Sequence, residues 1–343
     1  MKKITPKKAL IIQFKQIGDV LMSTPTIRAL AASPEAWEVD LLTQSPANQV
    51  MEHNKHLRKI LLYPSKAKTK DLVTLIRNIR SEHYHVVIDF QGSPKSALIA
   101  LLSGAPTRLG FPLRGRSIAY TQSIETPDDI RYSAAQKLYF LSQLGINSLD
   151  SKLEMEIAQD DRDQGKKILQ ELNVDFSKPL MSISPVSRRD YKVWPAKNFA
   201  EICDYLIERY EVQILFLWGP GEYEFVDAVR KEMKNQTLAD YEIPTLRETY
   251  ALLELVDLHI GNDNGPMHFA IAAEKPTISI FGRPEAINWT PSDSSRHVAI
   301  EQDPGCKTNC KYPNCDLECI RRIETSVVVK AIDQQMESIQ LKK

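Results

Sequence analysis

The sequence predicts an α/β protein of two doubly wound units, and three observations carry that prediction. Short β-branched runs alternate with amphipathic helical stretches along the chain, the pattern of βαβ units around a parallel sheet. The chain holds 343 residues, enough for two domains at roughly 150 residues each. The chemically loaded residues fall in loops between a strand and the following helix, where doubly wound sheets bind their ligands.

In the first half the β-branched runs predict strands at 9–14, 38–43, 59–63 and 85–89. Apolar residues recurring every three or four positions predict helices at 20–32, 69–80 and 130–144. The second half repeats the scheme, with strands at 180–184, 212–217, 257–260 and 277–281 and helices at 196–209, 222–233 and 245–255. A final helix is expected at 326–339. The polar stretch 147–164 marks the boundary, giving domains 1–155 and 156–343, with an active cleft expected between facing sheets.

Apolar residues at 43% and charged residues at 26% allow sizeable cores and exclude a disordered or fibrous chain. No uncharged apolar stretch approaches the roughly 18 to 20 residues of a membrane helix, and Lys15 interrupts the apolar run at 9–14, so neither a span nor a signal peptide is expected. Five cysteines are too few for a secreted disulfide scaffold, which makes a reducing cytoplasm the expected compartment. Residues 1–150 carry 20 Lys+Arg against 12 Asp+Glu and residues 151–343 carry 24 against 32, so the neutral chain is a basic half joined to an acidic one. The basic half suits an anionic substrate, membrane surface or nucleic acid.

Each motif carries two readings. Gly18-Asp19 follows the first strand: Asp19 is either a cap on the helix N-terminus or a general base held ionised by the same N–H groups. The loop 184–195 holds Ser187, Arg188, Arg189 and Lys192, a set suited to phosphate oxygens or to plain solvation. Asp263-Asn264-Gly265-Pro266-Met267-His268 opens another helix, where backbone N–H groups favour a diphosphate; Asp263 is otherwise a cap and His268 a helix histidine. Glu222 bonds sugar hydroxyls or is a first-turn acid, and Asp161-Arg162-Asp163 reads as first-turn acids rather than a metal site. Lys95, Arg108, Arg114 and Arg116 follow the fourth strand as an anion-binding cluster or a solvated surface. Cys306, Cys310, Cys315 and Cys319 hold a zinc ion or stay reduced. The fingerprints of P-loop NTPases, dinucleotide-binding dehydrogenases, serine hydrolases and zincins are absent.

Taken in order, the motifs resemble the lipopolysaccharide heptosyltransferases of glycosyltransferase family 9. They run from the opening stretch 11–21 with Thr24-Pro25, through Asp89-Phe90-Gln91-Gly92 with Lys95-Ser96-Ala97, to Lys192-Val193-Trp194-Pro195, Asn262 to His268, Phe281-Gly282 and the cysteines. The opening motif is most similar to the heptosyltransferase III type. The resemblance implies a GT-B fold, two Rossmann-like domains facing across a cleft, the first on the acceptor side and the second holding the donor. It implies inverting, metal-independent transfer of heptose from ADP-L-glycero-D-manno-heptose to the lipopolysaccharide inner core, at the cytoplasmic face of the inner membrane. ADP-heptose is then a substrate, and no cofactor is required. Asp19 is implied as the base, Ser187, Lys192, Glu222, Asp263, Asn264, Gly265 and His268 as donor-binding, and Lys95, Arg108, Arg114 and Arg116 as acceptor-binding. Gln16 stands where many members carry Arg, and Asn264 where Ser or Thr is commoner. The rivals are a nucleotide-sugar epimerase of the same fold and a non-catalytic binding protein. The acidic second half, with no aromatic-interleaved basic strip, argues against nucleic acid.

Overall fold

The computed structural model describes residues 6–340 apart from 65, 67, 284, 292–294, 307 and 308. The chain divides into two compact units, Met1–Glu156 and Ile157–Lys343.

In the first unit the strands are β1 (Lys7–Ile12), β2 (Trp37–Thr43), β3 (Leu57–Leu62), β4 (Val86–Asp89), β5 (Thr107–Gly110) and β6 (Gln122–Ser123). The helices are α1 (Ile17–Leu21), α2 (Thr24–Ala31), α3 (Thr69–Ser81), α4 (Pro94–Leu102) and α5 (Ser133–Tyr139), which runs into a 3₁₀ turn at Phe140–Leu144. Within the described residues the sheet runs β3-β2-β1-β4-β5-β6 with every neighbouring pair parallel. Ala9, Leu10, Ile11 and Ile12 are all fully buried, as a central parallel strand covered on both faces requires. Each such Leu or Ile contributes about 1.5–3 kcal/mol of burial.

Two expectations here are corrected. The helix expected at 20–32 is broken into α1 and α2, because Pro25 has no N–H to donate and its ring clashes with a carbonyl one turn back. The expected strand set lacked β5 and β6, short strands toward one edge of the sheet; β6 is two exposed residues with no apolar pattern to read.

The second unit has β7 (Leu180–Ser184), β8 (Gln213–Phe216), β9 (Leu258–Asn262), β10 (Thr277–Phe281) and β11 (His297–Glu301). Its helices are α6 (Gln159–Glu171), α7 (Ala196–Tyr210), α8 (Tyr223–Glu232), α9 (Leu246–Leu253), α10 (Gly265–Ala272), α11 (Ala286–Trp289), α12 (Glu318–Arg321) and α13 (Thr325–Gln340). The sheet order is β11-β10-β9-β7-β8, again parallel throughout. Trp194 anchors the core: fully buried, it packs edge-on against Phe199 at 5.1 Å and donates its indole N–H to the Ile323 carbonyl at 2.9 Å. Val328, Ile332 and Met336 of α13 join the same core, so the C-terminal helix is part of this unit.

The polar stretch read as a linker contains the start of α6, a mostly polar helix that buries only Gly165, Ile168 and Leu169. Asp161 accepts the Ala158 N–H at 3.1 Å and pairs with Arg247 at 3.2 Å, the work of a first-turn acid.

Strand order locates the ligand-facing edges. In each sheet the direction of winding reverses once, between β1 and β4 in the first unit and between β7 and β9 in the second. The loops leaving those strands diverge, and the crevice they open at the carboxyl ends is where doubly wound sheets hold ligands.

Candidate functional site

The loops at both switch points are the ones carrying Asp19, Gln91, Lys192 and Asp263. In the first unit, Asp19 is the third residue of α1, half-buried, and its Oδ2 accepts the Gln16 N–H at 3.2 Å. That bond caps the helix and leaves Oδ1 for another partner. The neighbouring loop braces this one: the side-chain oxygen Oε1 of Gln91 accepts the N–H groups of Phe14 at 3.0 Å and Lys15 at 3.2 Å. Gly92 takes a left-handed φ of 58°, and its N–H donates to Asp89 Oδ1 at 3.0 Å. Burial pushes the Asp89 carboxyl above the usual carboxylate range, against the pull of the Tyr120 hydroxyl, which donates to it at 2.8 Å.

Behind Asp19 lies a residue the sequence reading missed. Lys137 of α5 is 3% exposed, and its ammonium donates to the Asp19 backbone carbonyl at 2.5 Å. Burial pushes this lysine down to about 8, with the Asp19 carboxylate opposing the shift. The unfolded chain therefore holds the extra proton between about pH 8 and the ordinary lysine value, and this group's destabilising effect fades as pH rises through that window. Its one sequence signal is a lone charge in an otherwise uncharged helix.

The four basic residues differ in what they do. Arg108 is spent on its own loop, its guanidinium donating to the carbonyls of Ala105 at 2.6 Å and Ala119 at 2.9 Å. Lys95, near the start of α4, and Arg114 are exposed, and Arg116 is partly exposed.

In the second unit two asparagines fasten the β9 loop to the β7 loop. Asn262 accepts the Trp194 N–H at 3.2 Å and donates to the Pro185 carbonyl at 2.8 Å. Asn264 donates to Ser184 Oγ at 2.8 Å and the Val186 carbonyl at 3.0 Å while its Oδ1 accepts the Met267 N–H at 3.3 Å. Between them Asp263 meets Lys192 at 2.5 Å. Of the side chains expected to hold a donor, Lys192, Asp263 and Asn264 are thus brought to one switch point, while Glu222 lies on the loop after β8.

The cradle of N–H groups expected at 264–268 is smaller than the motif suggested. Pro266 has no N–H and the Met267 N–H is taken by Asn264, so the first turn of α10 has Gly265 to offer an anion and the positive charge comes from Lys192. His268 is buried within α10 at 5% exposure. Glu222 closes its own loop by accepting the Gly219 N–H at 2.9 Å, and Ser187 Oγ accepts the Arg189 N–H at 3.3 Å.

Gly282, just after β10, lies against this loop: a Cβ there would fall 1.5 Å from the Tyr191 carbonyl oxygen. Gly282→Ala is expected to displace the Tyr191–Lys192 backbone and to lower stability by about 1–3 kcal/mol, read as a drop in Tm. An unchanged Tm would show that the loop yields freely. Cys306, Cys310 and Cys315 are exposed, and burial together with the neighbouring thiols pushes the Cys319 thiol up. Among the described residues no group of three or more His, Cys, Asp or Glu is placed to hold a metal ion.

A family profile described as glycosyltransferase family 9 (heptosyltransferase) matches residues 72–320. The chain belongs to glycosyltransferase family 9. This family 9 chain is 24% identical to lipopolysaccharide heptosyltransferase 1 of Campylobacter coli, over 95% of its own length and 98% of the relative's. It is also 24% identical to lipopolysaccharide heptosyltransferase 3 of Escherichia coli K12, covering 80% and 82%. Its fold is similar to the E. coli ADP-heptose lipopolysaccharide heptosyltransferase II structure, with a TM-score of 0.76 and 17% identity over 98% and 99% of the two chains. The fold class is therefore GT-B, two Rossmann-like units, and the protein is a glycosyltransferase rather than an epimerase or a passive binder.

Proposed function

We propose that this enzyme moves heptose from ADP-L-glycero-D-manno-heptose to the lipopolysaccharide inner core, in one inverting displacement that needs no metal. The observation that carries the reading is the Lys192–Asp263 pair at the β7/β9 switch point, a cation placed where a departing diphosphate needs one. Asp19 removes the proton of the acceptor hydroxyl, whose oxygen attacks the anomeric carbon as the bond to ADP breaks. The electron pair leaves on the diphosphate, and Lys192 trades its bond to Asp263 for phosphate oxygens. Gly265 adds one N–H, and Ser187, Glu222, Asn264 and His268 shape the surrounding loops. The relatives are lipopolysaccharide heptosyltransferases, one of them named for ADP-heptose, which supports the choice of donor and acceptor.

The purified protein given ADP-heptose and a core oligosaccharide should add one heptose to the acceptor by mass spectrometry and release ADP. With ADP-heptose alone, the sugar should be unchanged. No mass gain with any core acceptor would overturn the reading.

The acceptor side is proposed to be basic and membrane-facing. No helix among the described residues is long and apolar enough to cross a membrane. On α4, however, Leu98 and Leu101 are 42% and 41% exposed beside Leu102, and Ile118 nearby is 84% exposed. Lys95 on the same helix, with Arg114 and Arg116 a few residues before Ile118, adds positive charge to these exposed apolar groups, a combination suited to an anionic bilayer on the cytoplasmic side and to the phosphates of the core. Arg114→Ala with Arg116→Ala is expected to raise the acceptor KM roughly 3- to 10-fold and flatten its salt dependence while the donor KM stays put. An unchanged acceptor KM across a salt titration would remove both arginines from acceptor binding.

A further inference from the structure

We propose that Lys137 is a positioning residue for the base: its buried ammonium, bound to the Asp19 carbonyl, fixes the corner between α1 and α2 from which the Asp19 carboxylate projects. The inference rests on the reading of Asp19 as the base. The break between the helices creates the need for such a group. The Ser23 N–H bonds to the Val20 carbonyl, so the Asp19 carbonyl lacks its ordinary helical partner and accepts instead from Ser23 Oγ at 3.2 Å and from Lys137 Nζ. Lys137 also lies 3.4 Å from Ser23 Oγ and 5.5 Å from the centre of the Phe90 ring. One side chain therefore ties together α5, both ends of the α1–α2 corner and the loop leaving β4.

A buried lysine with no carboxylate directly bonded to it weakens a fold, and methionine would fill the same space without that cost. What the ammonium supplies is a charge beside the base. Asp19 is the charged group facing it from α1. α2 presents Ser23, while Arg28, its one charged residue, turns to Asp150 and Glu154. The β4 loop presents the uncharged Phe90 ring, and the 3₁₀ turn after α5 carries no charge. With burial holding Lys137 near 8, the charge beside the base is lost and the charge-assisted bond to the Asp19 carbonyl weakens as pH rises through that value, so kcat should fall.

The test uses the full chain in two arms. Lys137→Met should fold, with a Tm equal to or above wild type, keep the donor KM within about twofold, and lose roughly 10- to 100-fold in kcat. A decline in wild-type kcat centred near pH 8 should be absent from the variant. In the second arm, the backbone ¹⁵N shift of Val20, which senses hydrogen bonding to the Asp19 carbonyl, should titrate in wild type with a midpoint near pH 8. Retained kcat with the alkaline decline intact would overturn the proposal while the transferase reading stands. If wild type transfers no heptose, that reading fails and the Val20 titration still decides whether Lys137 holds the corner. If Lys137→Met does not fold, a Val20 shift that is flat from pH 7 to 9 overturns the proposal without any variant.

Discussion

Asp19→Asn is expected to cut turnover by roughly 10² to 10⁴ while ADP affinity stays close to wild type. Asparagine keeps the shape of the side chain, and its Oδ1 can still accept the Gln16 N–H that caps α1, so the local fold should survive. What disappears is the capacity to take a proton from the acceptor hydroxyl. Steady-state kcat together with calorimetric titration of ADP separates the two roles. Near-normal turnover in a folded variant would leave Asp19 as a helix cap and nothing more.

Lys192→Ala is expected to weaken donor binding and slow transfer by roughly 10² or more, because charge on the diphosphate grows as the sugar bond breaks. The loss has two parts. The variant removes a cation, and it also leaves Asp263, whose side chain is 10% exposed, as an unpaired carboxylate facing the phosphates. Adding Asp263→Asn to Lys192→Ala should therefore recover part of the donor affinity, and an effect no better than the single variant would show that Asp263 does not oppose the diphosphate. Activity of the wild-type enzyme should persist in EDTA, since an ammonium supplies the charge that a divalent metal provides in other transferases. An absolute metal requirement would overturn this assignment and bring the remaining acidic loops back into question.

Much of this protein was legible in its sequence, and the reason is local. The period of two or three to four residues that separates strands from helices sits within a dozen positions. The strand expected at 180–184 is β7 and that at 277–281 is β10. The placement of Asp19, Lys192 and Asp263 after strands follows from the same reading, because a doubly wound unit puts its loops there wherever its strands fall. Elements without a local signal are not legible: β6 is two exposed residues with no pattern, and the interruption at Ser23 rests on one proline inside a stretch whose apolar period continues across it.

The sequence alone determined two parallel α/β units, the loops that carry chemistry and the family they resemble. Tertiary structure decided which side chains in those loops meet. Lys192 finds Asp263 across 71 positions, and Lys137 finds the Asp19 carbonyl across 118. Arg108 shows the same principle in reverse: a plausible acceptor contact by charge and position, it is taken up by two carbonyls of its own loop. Hydrogen bonds and desolvation act over a few ångströms of space, so which polar groups satisfy one another depends on the order in which strands pack and not on their spacing along the chain.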